Sequence, residues 1–182
     1  TQQAKLTPSD PRPYYNFGHA VAIDGDTIVV GAQLLQPSPP YTLIQDVYVF
    51  VRSGESWIQQ AKLSSGITAY VDEFGESLAI DGDTVVVGAF FTRLSGFTYG
   101  PGAAYVFVRS GSTWTRQAML IAADAGASDR FGQAVDVDGD TIVVGANMDD
   151  DLGSDSGSAY VFVRTGSAWA QQAKLTASDG SA

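Results

Sequence analysis

The chain has 182 residues, with 20 Asp and Glu against 10 Lys and Arg, a formal charge of −10, one His and no Cys. This balance argues against nucleic acid and anionic membrane as partners, and the lack of Cys excludes disulfides and thiol chemistry. No apolar run approaches the ~20 residues of a membrane-spanning helix, and the length suffices for one sizeable core.

In chain order, TQQAKLT (residues 1–7) comes first and returns near the end as AQQAKLT, so it reads as an extra outer-strand segment. FGHAVAIDGDTIVVGA follows from Phe17. Its first part, Phe17 to Ile23, reads as strand A and ends at Asp24-Gly25, a strong hairpin signal. Gly18, Ala20 and Ala22 suit a crowded inner strand. Thr27 to Gly31 is strand B, a β-branched run with no helical period. After a long connection comes strand C, Val47 to Arg52, where Val47, Val49 and Val51 alternate with Tyr48 and Phe50. Ser53-Gly54 turns the chain into strand D, Trp57 to Leu63.

The same order returns twice. FGESLAIDGDTVVVGA starts at Phe74 and FGQAVDVDGDTIVVGA at Phe131, so the motif recurs at equal steps, and Trp57, Trp114 and Trp169 mark the three second halves. The units span about 17–73, 74–130 and 131–182 of a single domain. Four short antiparallel strands with tight turns, repeated in register, predict an all-β chain of β-propeller blades. Propellers close with ~4 to 8 blades, so three leave two apolar blade faces bare, and bare faces of that size signal an interface. Two expectations follow: the chain closes a six-blade ring as a two-fold dimer, or it is a piece of a longer propeller.

The pairs Phe17-Gly18, Phe74-Gly75 and Phe131-Gly132, with Gly31-Ala32, Gly88-Ala89 and Gly145-Ala146 closing strand B, resemble the FG-GAP repeats of integrin α-subunits and many bacterial surface proteins. The resemblance covers essentially the whole chain, although Gln33, Phe90 and Asn147 stand where the family has Pro. It implies a propeller outside the cell or on the bacterial surface. It implies little about the ligand, because that fold serves adhesion, sugar binding and scaffolding alike. Integrin-type repeats hold calcium in a long Asp-rich loop between strands A and B. Here that connection is only IDGDT or VDGDT, including Asp136, Asp138 and Asp140, and reads as an Asp-Gly turn.

The acidic cluster lies one connection later, in the third B–C loop. Asn147, Asp149, Asp151 and Asp155 occupy alternate positions, and Gly153 offers a backbone carbonyl between them. Hard oxygen donors in this pattern suit Ca2+, whereas the lack of nearby His or Cys disfavours zinc or copper. The alternative is a solvated acidic loop. The first two B–C loops, residues 33–46 and 90–102, are long and apolar instead. Leu34, Leu35, Tyr41, Ile44, Phe90, Phe91, Phe97 and Tyr99, with Arg93 as a polar anchor, form a candidate binding surface on the side where loops vary. Those side chains either present a contact surface or fold back over the blades.

Little in the chain speaks for catalysis. His19 aligns with Glu76 and Gln133, as a channel-lining position does, and GSDSG at 153–157 has Asp155 where a nucleophile elbow has Ser. The expectation is a non-catalytic binding and assembly module, acting in adhesion or protein–protein contact, with self-association and a protein or glycan ligand. A glycan-binding lectin is the alternative.

Overall fold

A computed structural model describes residues 1–34, 45–67, 72–96 and 98–178. Among these residues all regular structure is strand, in three four-stranded antiparallel sheets. The first holds β1 (Val21–Asp24), β2 (Thr27–Gln33), β3 (Gln45–Ser53) and β4 (Ser56–Leu63). The second holds β5 (Phe74–Asp81), β6 (Thr84–Ala89), β7 (Ala103–Ser110) and β8 (Thr113–Leu120). The third holds β9 (Phe131–Asp138), β10 (Thr141–Ala146), β11 (Ser158–Thr165) and β12 (Ala168–Leu175). Neighbours in sequence are neighbours in each sheet. Each sheet is therefore a simple meander, as the unit pattern predicts.

Two details differ from the sequence reading. The two-residue hairpin loop is Gly25-Asp26, with Asp24 paired to Thr27 as the last strand position. Gly25, Gly82 and Gly139 take the positive φ that such a loop requires at its first position (50°, 53° and 54°). The first inner strand also begins at Val21 rather than Phe17. In the third sheet the Phe131 N–H is held by the Pro101 carbonyl of the preceding sheet's loop, at 2.8 Å. Among the described residues no such backbone bond reaches the Phe17 N–H.

Period-two alternation gives each sheet two apolar faces. Val29, Val47, Val49 and Leu63 of the first sheet pack against Phe74, Leu78, Ile80, Val85 and Val87 of the second. The arrangement repeats one sheet later, with Val86, Ala104, Val106 and Leu120 against Phe131, Val135, Val137, Ile142 and Val144. A Phe from the motif stands edge-on to a Tyr and a Phe of its own third strand, as in Phe131 with Tyr160 and Phe162 at 5.4 and 5.9 Å.

The two motif glycines have a joint role at these junctions. A Cβ on Gly31 would meet the Gly75 carbonyl, and one on Gly88 would run into the Gly132 carbonyl. Gly132, at φ 95°, is itself pressed against the Ala103 carbonyl. The first strand of one sheet thus approaches the second strand of the sheet before it backbone to backbone, which only Gly permits.

Polar contacts between neighbouring sheets repeat as well. Trp114 Nε1 donates to Gln60 Oε1 and Trp169 Nε1 to Gln117 Oε1, both at 2.8 Å. Arg109 Nη1 reaches Thr27 Oγ1 at 3.1 Å, and Arg164 Nη1 reaches Thr84 Oγ1 at 3.3 Å. The Asp-Gly-Asp turns take part: Asp24 accepts from the Gly82 N–H and Asp81 from the Gly139 N–H, at 2.8 and 2.7 Å. Their second aspartates, Asp26, Asp83 and Asp140, each pair with an arginine of their own sheet. His19 Nε2 lies 3.7 Å from Glu76 Oε2 across the first junction.

Candidate functional site

In a meander, the B–C loops and the connections between sheets share one edge. On that edge of the third sheet, strands β11 and β12 place Tyr160 opposite Lys174. The Lys174 ammonium reaches Asp124 Oδ2 at 2.8 Å, Asp149 Oδ2 and Oδ1 at 2.9 and 3.1 Å, and Asp151 Oδ2 at 2.5 Å. Tyr160 OH donates to Asp149 Oδ2 at 2.5 Å. The Asp149 side chain is only 3% exposed and that of Lys174 18%. Burial pushes the Asp149 carboxyl up, but hydrogen bonds from Tyr160 and Lys174 outweigh it and hold the group below its ordinary range. Asp124 follows the same balance: burial raises it, and Lys174 brings it down overall. Burial pulls the Lys174 ammonium down in turn, but its three carboxylates outweigh this and hold it well above the usual lysine range.

Of the five predicted loop ligands, Asp149 and Asp151 converge. Asp155 is exposed, stands outside the cluster and sits in the left-handed region at φ 54°. The Gly153 carbonyl accepts from the Ser156 N–H at 3.1 Å, and Asn147 is exposed. The third member of the acidic cluster is Asp124, from the connection that enters the sheet. The loop alternation does not reveal it, because it lies upstream of the whole inner hairpin, before Phe131. Lys174 also lies outside the loop, yet its ammonium occupies the centre that a calcium ion would need. As arranged, the carboxylates therefore suit an internal ammonium rather than a resident metal.

The first sheet builds the same device from partly different residues. Lys62 Nζ contacts Asp10 Oδ2 at 2.9 Å and Asp46 Oδ2 at 2.8 Å. Tyr48 OH donates to Asp10 Oδ1 at 2.5 Å, and Tyr15 OH donates to Asp46. In both sheets the lysine ties the incoming connection to the outer strands. The unit comparison carries a signal for this: Asp10, Lys62 and Tyr48 align with Asp124, Lys174 and Tyr160, on either side of the middle sheet.

In the second sheet the equivalent residues are Ile67, Met119 and Tyr105, so the Asp and Lys are lost together. Tyr105 OH, Thr92 Oγ1 and Asp72 Oδ2 are left buried without hydrogen-bond partners among the described residues. Burial pushes the Asp72 carboxyl upward. A raised folded pKa means that the folded state binds the proton more tightly than the unfolded one. This contribution therefore weakens folding as pH rises above the unfolded value near 3.9. In Asp72→Asn that slope disappears, and the protein is more stable at pH 7 by about 1 kcal/mol. Thermal melts at pH 4 and pH 8 check this; a variant that loses stability at pH 8 refutes it.

The apolar loop residues divide. Leu34 is buried with Tyr15 and Tyr48, so it belongs to the core rather than to a surface. Phe90 is also buried, and the Arg130 guanidinium sits 5.7 Å from both its ring and that of Phe91. Arg130 reaches them from a left-handed backbone, φ 58°, just before the motif Phe. Phe91 and Tyr99 are exposed, 39% and 70%, and Arg93 is exposed as well. Leu35, Tyr41, Ile44 and Phe97 lie outside the described residues.

A comparison with curated protein sequences finds no match. A comparison with protein families matches the FG-GAP repeat three times, over residues 1–50, 57–107 and 114–162. Each match opens in a strand-D sequence and ends within a third strand, so residues 1–7 stand where a preceding outer strand would. With most of its length covered in three successive copies, the chain belongs to the FG-GAP repeat family.

Proposed function

We propose that the chain is a non-catalytic extracellular module for adhesion and assembly, and that it holds a protein ligand on the face formed by the B–C loops. The observation that carries this is the second loop. Its base is anchored by buried Phe90 and Thr92, while Phe91, Arg93 and Tyr99 of the same loop are exposed. Exposed aromatics on an anchored loop are the usual source of interface affinity. FG-GAP membership supports a binding and interaction role, and no helix among the described residues is long and apolar enough to cross a membrane. Self-association belongs to the same reading.

Tyr99 also favours a second reading, glycan binding, since an exposed ring stacks on sugar faces as well as on protein. A panel of immobilised extracellular proteins and a glycan array separate the two. Tyr99→Ala is expected to weaken capture at least tenfold, equivalent to about 1.4 kcal/mol, with the melting temperature unchanged because the ring is exposed. Silence of the wild-type chain on both panels overturns binding through this face. Calcium enters this reading as a competitor of Lys174: the ion takes the Asp124, Asp149 and Asp151 carboxylates only when the ammonium leaves.

A further inference from the structure

The two outermost faces of the stack are not alike, and each matches a face that is already buried inside it. On the leading side, Phe17, Val21, Ile23, Ile28 and Val30 stand at the positions that Phe74, Leu78, Ile80, Val85 and Val87 occupy in the first junction. Val21 and Ile23 are 65% and 62% exposed. On the trailing side, Val143, Val161 and Leu175 stand at the positions of Val29, Val49 and Leu63. Val143 is 38% exposed and Leu175 53%. The third sheet thus ends on the surface that the first sheet offers to the second.

Gly145 is an independent sign of what covers that side. Its partners in the repeat, Gly31 and Gly88, are Gly because the next sheet's Gly75 and Gly132 carbonyls press on them. Among the described residues nothing presses on Gly145. A Cβ there would make only ordinary contacts, the nearest 3.5 Å away on Ala134 of its own sheet, and its φ does not require Gly. A Gly inside a strand weakens that strand, so its presence is explained by a backbone that approaches it from outside. The polar contacts are repeated too: Trp57, Arg52 and Gly25 on the leading side match Gln172, Thr141 and Asp138 on the trailing side.

From these matches we infer that the trailing face of the third sheet docks on the leading face of the first sheet of a second copy, with the Gly18 carbonyl of one chain seated on Gly145 of the other. The inference rests on the assembly part of the proposed function and is independent of the loop ligand. Two such head-to-tail junctions close a ring of six blades. Residues 1–6 regulate the contact. Leu6 joins Phe17, Ile28 and Trp57 around the first sheet's own core cluster, as Leu63 joins Phe74, Val85 and Trp114 in the cluster of the first junction. Arg52 Nη1 reaches Gln3 Oε1 at 3.4 Å. The first residues therefore fill the place that β12 of the second copy needs, and residues 2–7 and 171–176 are the same six letters, QQAKLT. One segment displaces the other.

Sedimentation of the full chain from about 1 to 200 µM tests this. The mass of two chains is expected at the upper end, and deletion of residues 1–6 lowers the dissociation constant at least tenfold. Gly145→Ala, which has room in the single chain, weakens association at least a hundredfold while its melting temperature holds or rises. Val21→Asp, on the other face, has the same effect on association, and a mixture of the two variants pairs again through the one intact junction. Single-chain mass for both full and shortened chains overturns self-docking altogether. A dimer indifferent to Gly145→Ala overturns this interface while leaving self-association standing. Neither outcome touches the Tyr99 test.

Discussion

A Lys174→Met variant is expected to lose about 3 kcal/mol of stability, which for a chain of this length lowers the melting temperature by roughly 6–12 °C. Methionine is the residue that the second sheet uses at this position, so the shape is tolerated and the loss is electrostatic. Asp149 is nearly fully buried and keeps its hydrogen bonds from Tyr160 and the Asp151 N–H but no cation, while Asp124 and Asp151 repel it. Breaking one side of a buried ion pair leaves an uncompensated charge, which costs far more than the intact pair contributes. The same variant is expected to gain a calcium response that the parent lacks. Calcium at about 1 mM restores part of the lost melting temperature in Lys174→Met and shifts the parent by less than about 1 °C, since the freed carboxylates then offer the hard oxygen donors that the ion needs. A large calcium shift in the parent refutes the assignment of Lys174 as the internal cation, and a variant as stable as the parent refutes the energetic argument.

The pH dependence of this cluster has the opposite sign to that of Asp72. Asp149 and Asp124 have folded pKa values below their unfolded ones. Their contribution is complete above the unfolded value near 3.9 and is lost as pH falls through the depressed folded values. Asp10, held low chiefly by the Tyr48 hydrogen bond and then by Lys62, adds to the same acid limb. Acid unfolding is therefore expected to loosen the first and third sheets, while the second sheet gains from protonation of Asp72.

Gly132→Ala is expected to cost about 3–5 kcal/mol, and Gly18→Ala only about 1–2 kcal/mol, although both replace the same motif residue. The two share a backbone cost, with φ 95° and 93°. They differ in what a Cβ meets: the Ala103 carbonyl at Gly132 and nothing within 4 Å at Gly18. The difference between the two variants thus isolates the close approach of neighbouring sheets. Urea unfolding of both chains measures it, and equal losses would show that the motif Gly serves its own turn alone.

These variants also mark what was legible in the chain of letters. Strand alternation, Asp-Gly hairpins and the even recurrence of the Phe-Gly motif are patterns read along the chain, and they located all twelve strands to within a few residues. The register of the repeats was enough to identify blades, since four strands of this kind bury an apolar face only against another copy. Within the site, Asp149 and Asp151 were legible because they are close together in the loop. Asp124 and Lys174 were not, because they lie far from Asp149 along the chain, one on either side, and reach it only when the connection folds over the outer strands. Leu34 and Phe90 read as surface in a long apolar loop, yet the structure buries them under the tyrosine cluster and under Arg130.

By itself, then, the sequence determined the all-β class, the unit and the number of units, because backbone alternation and turn chemistry act over a few residues. Only the tertiary structure decided which faces meet, which cation neutralises the acidic loop and which glycine is left without a neighbour. Those outcomes depend on distances between groups that are remote along the chain, where desolvation and charge pairing, rather than local preference, determine the energy.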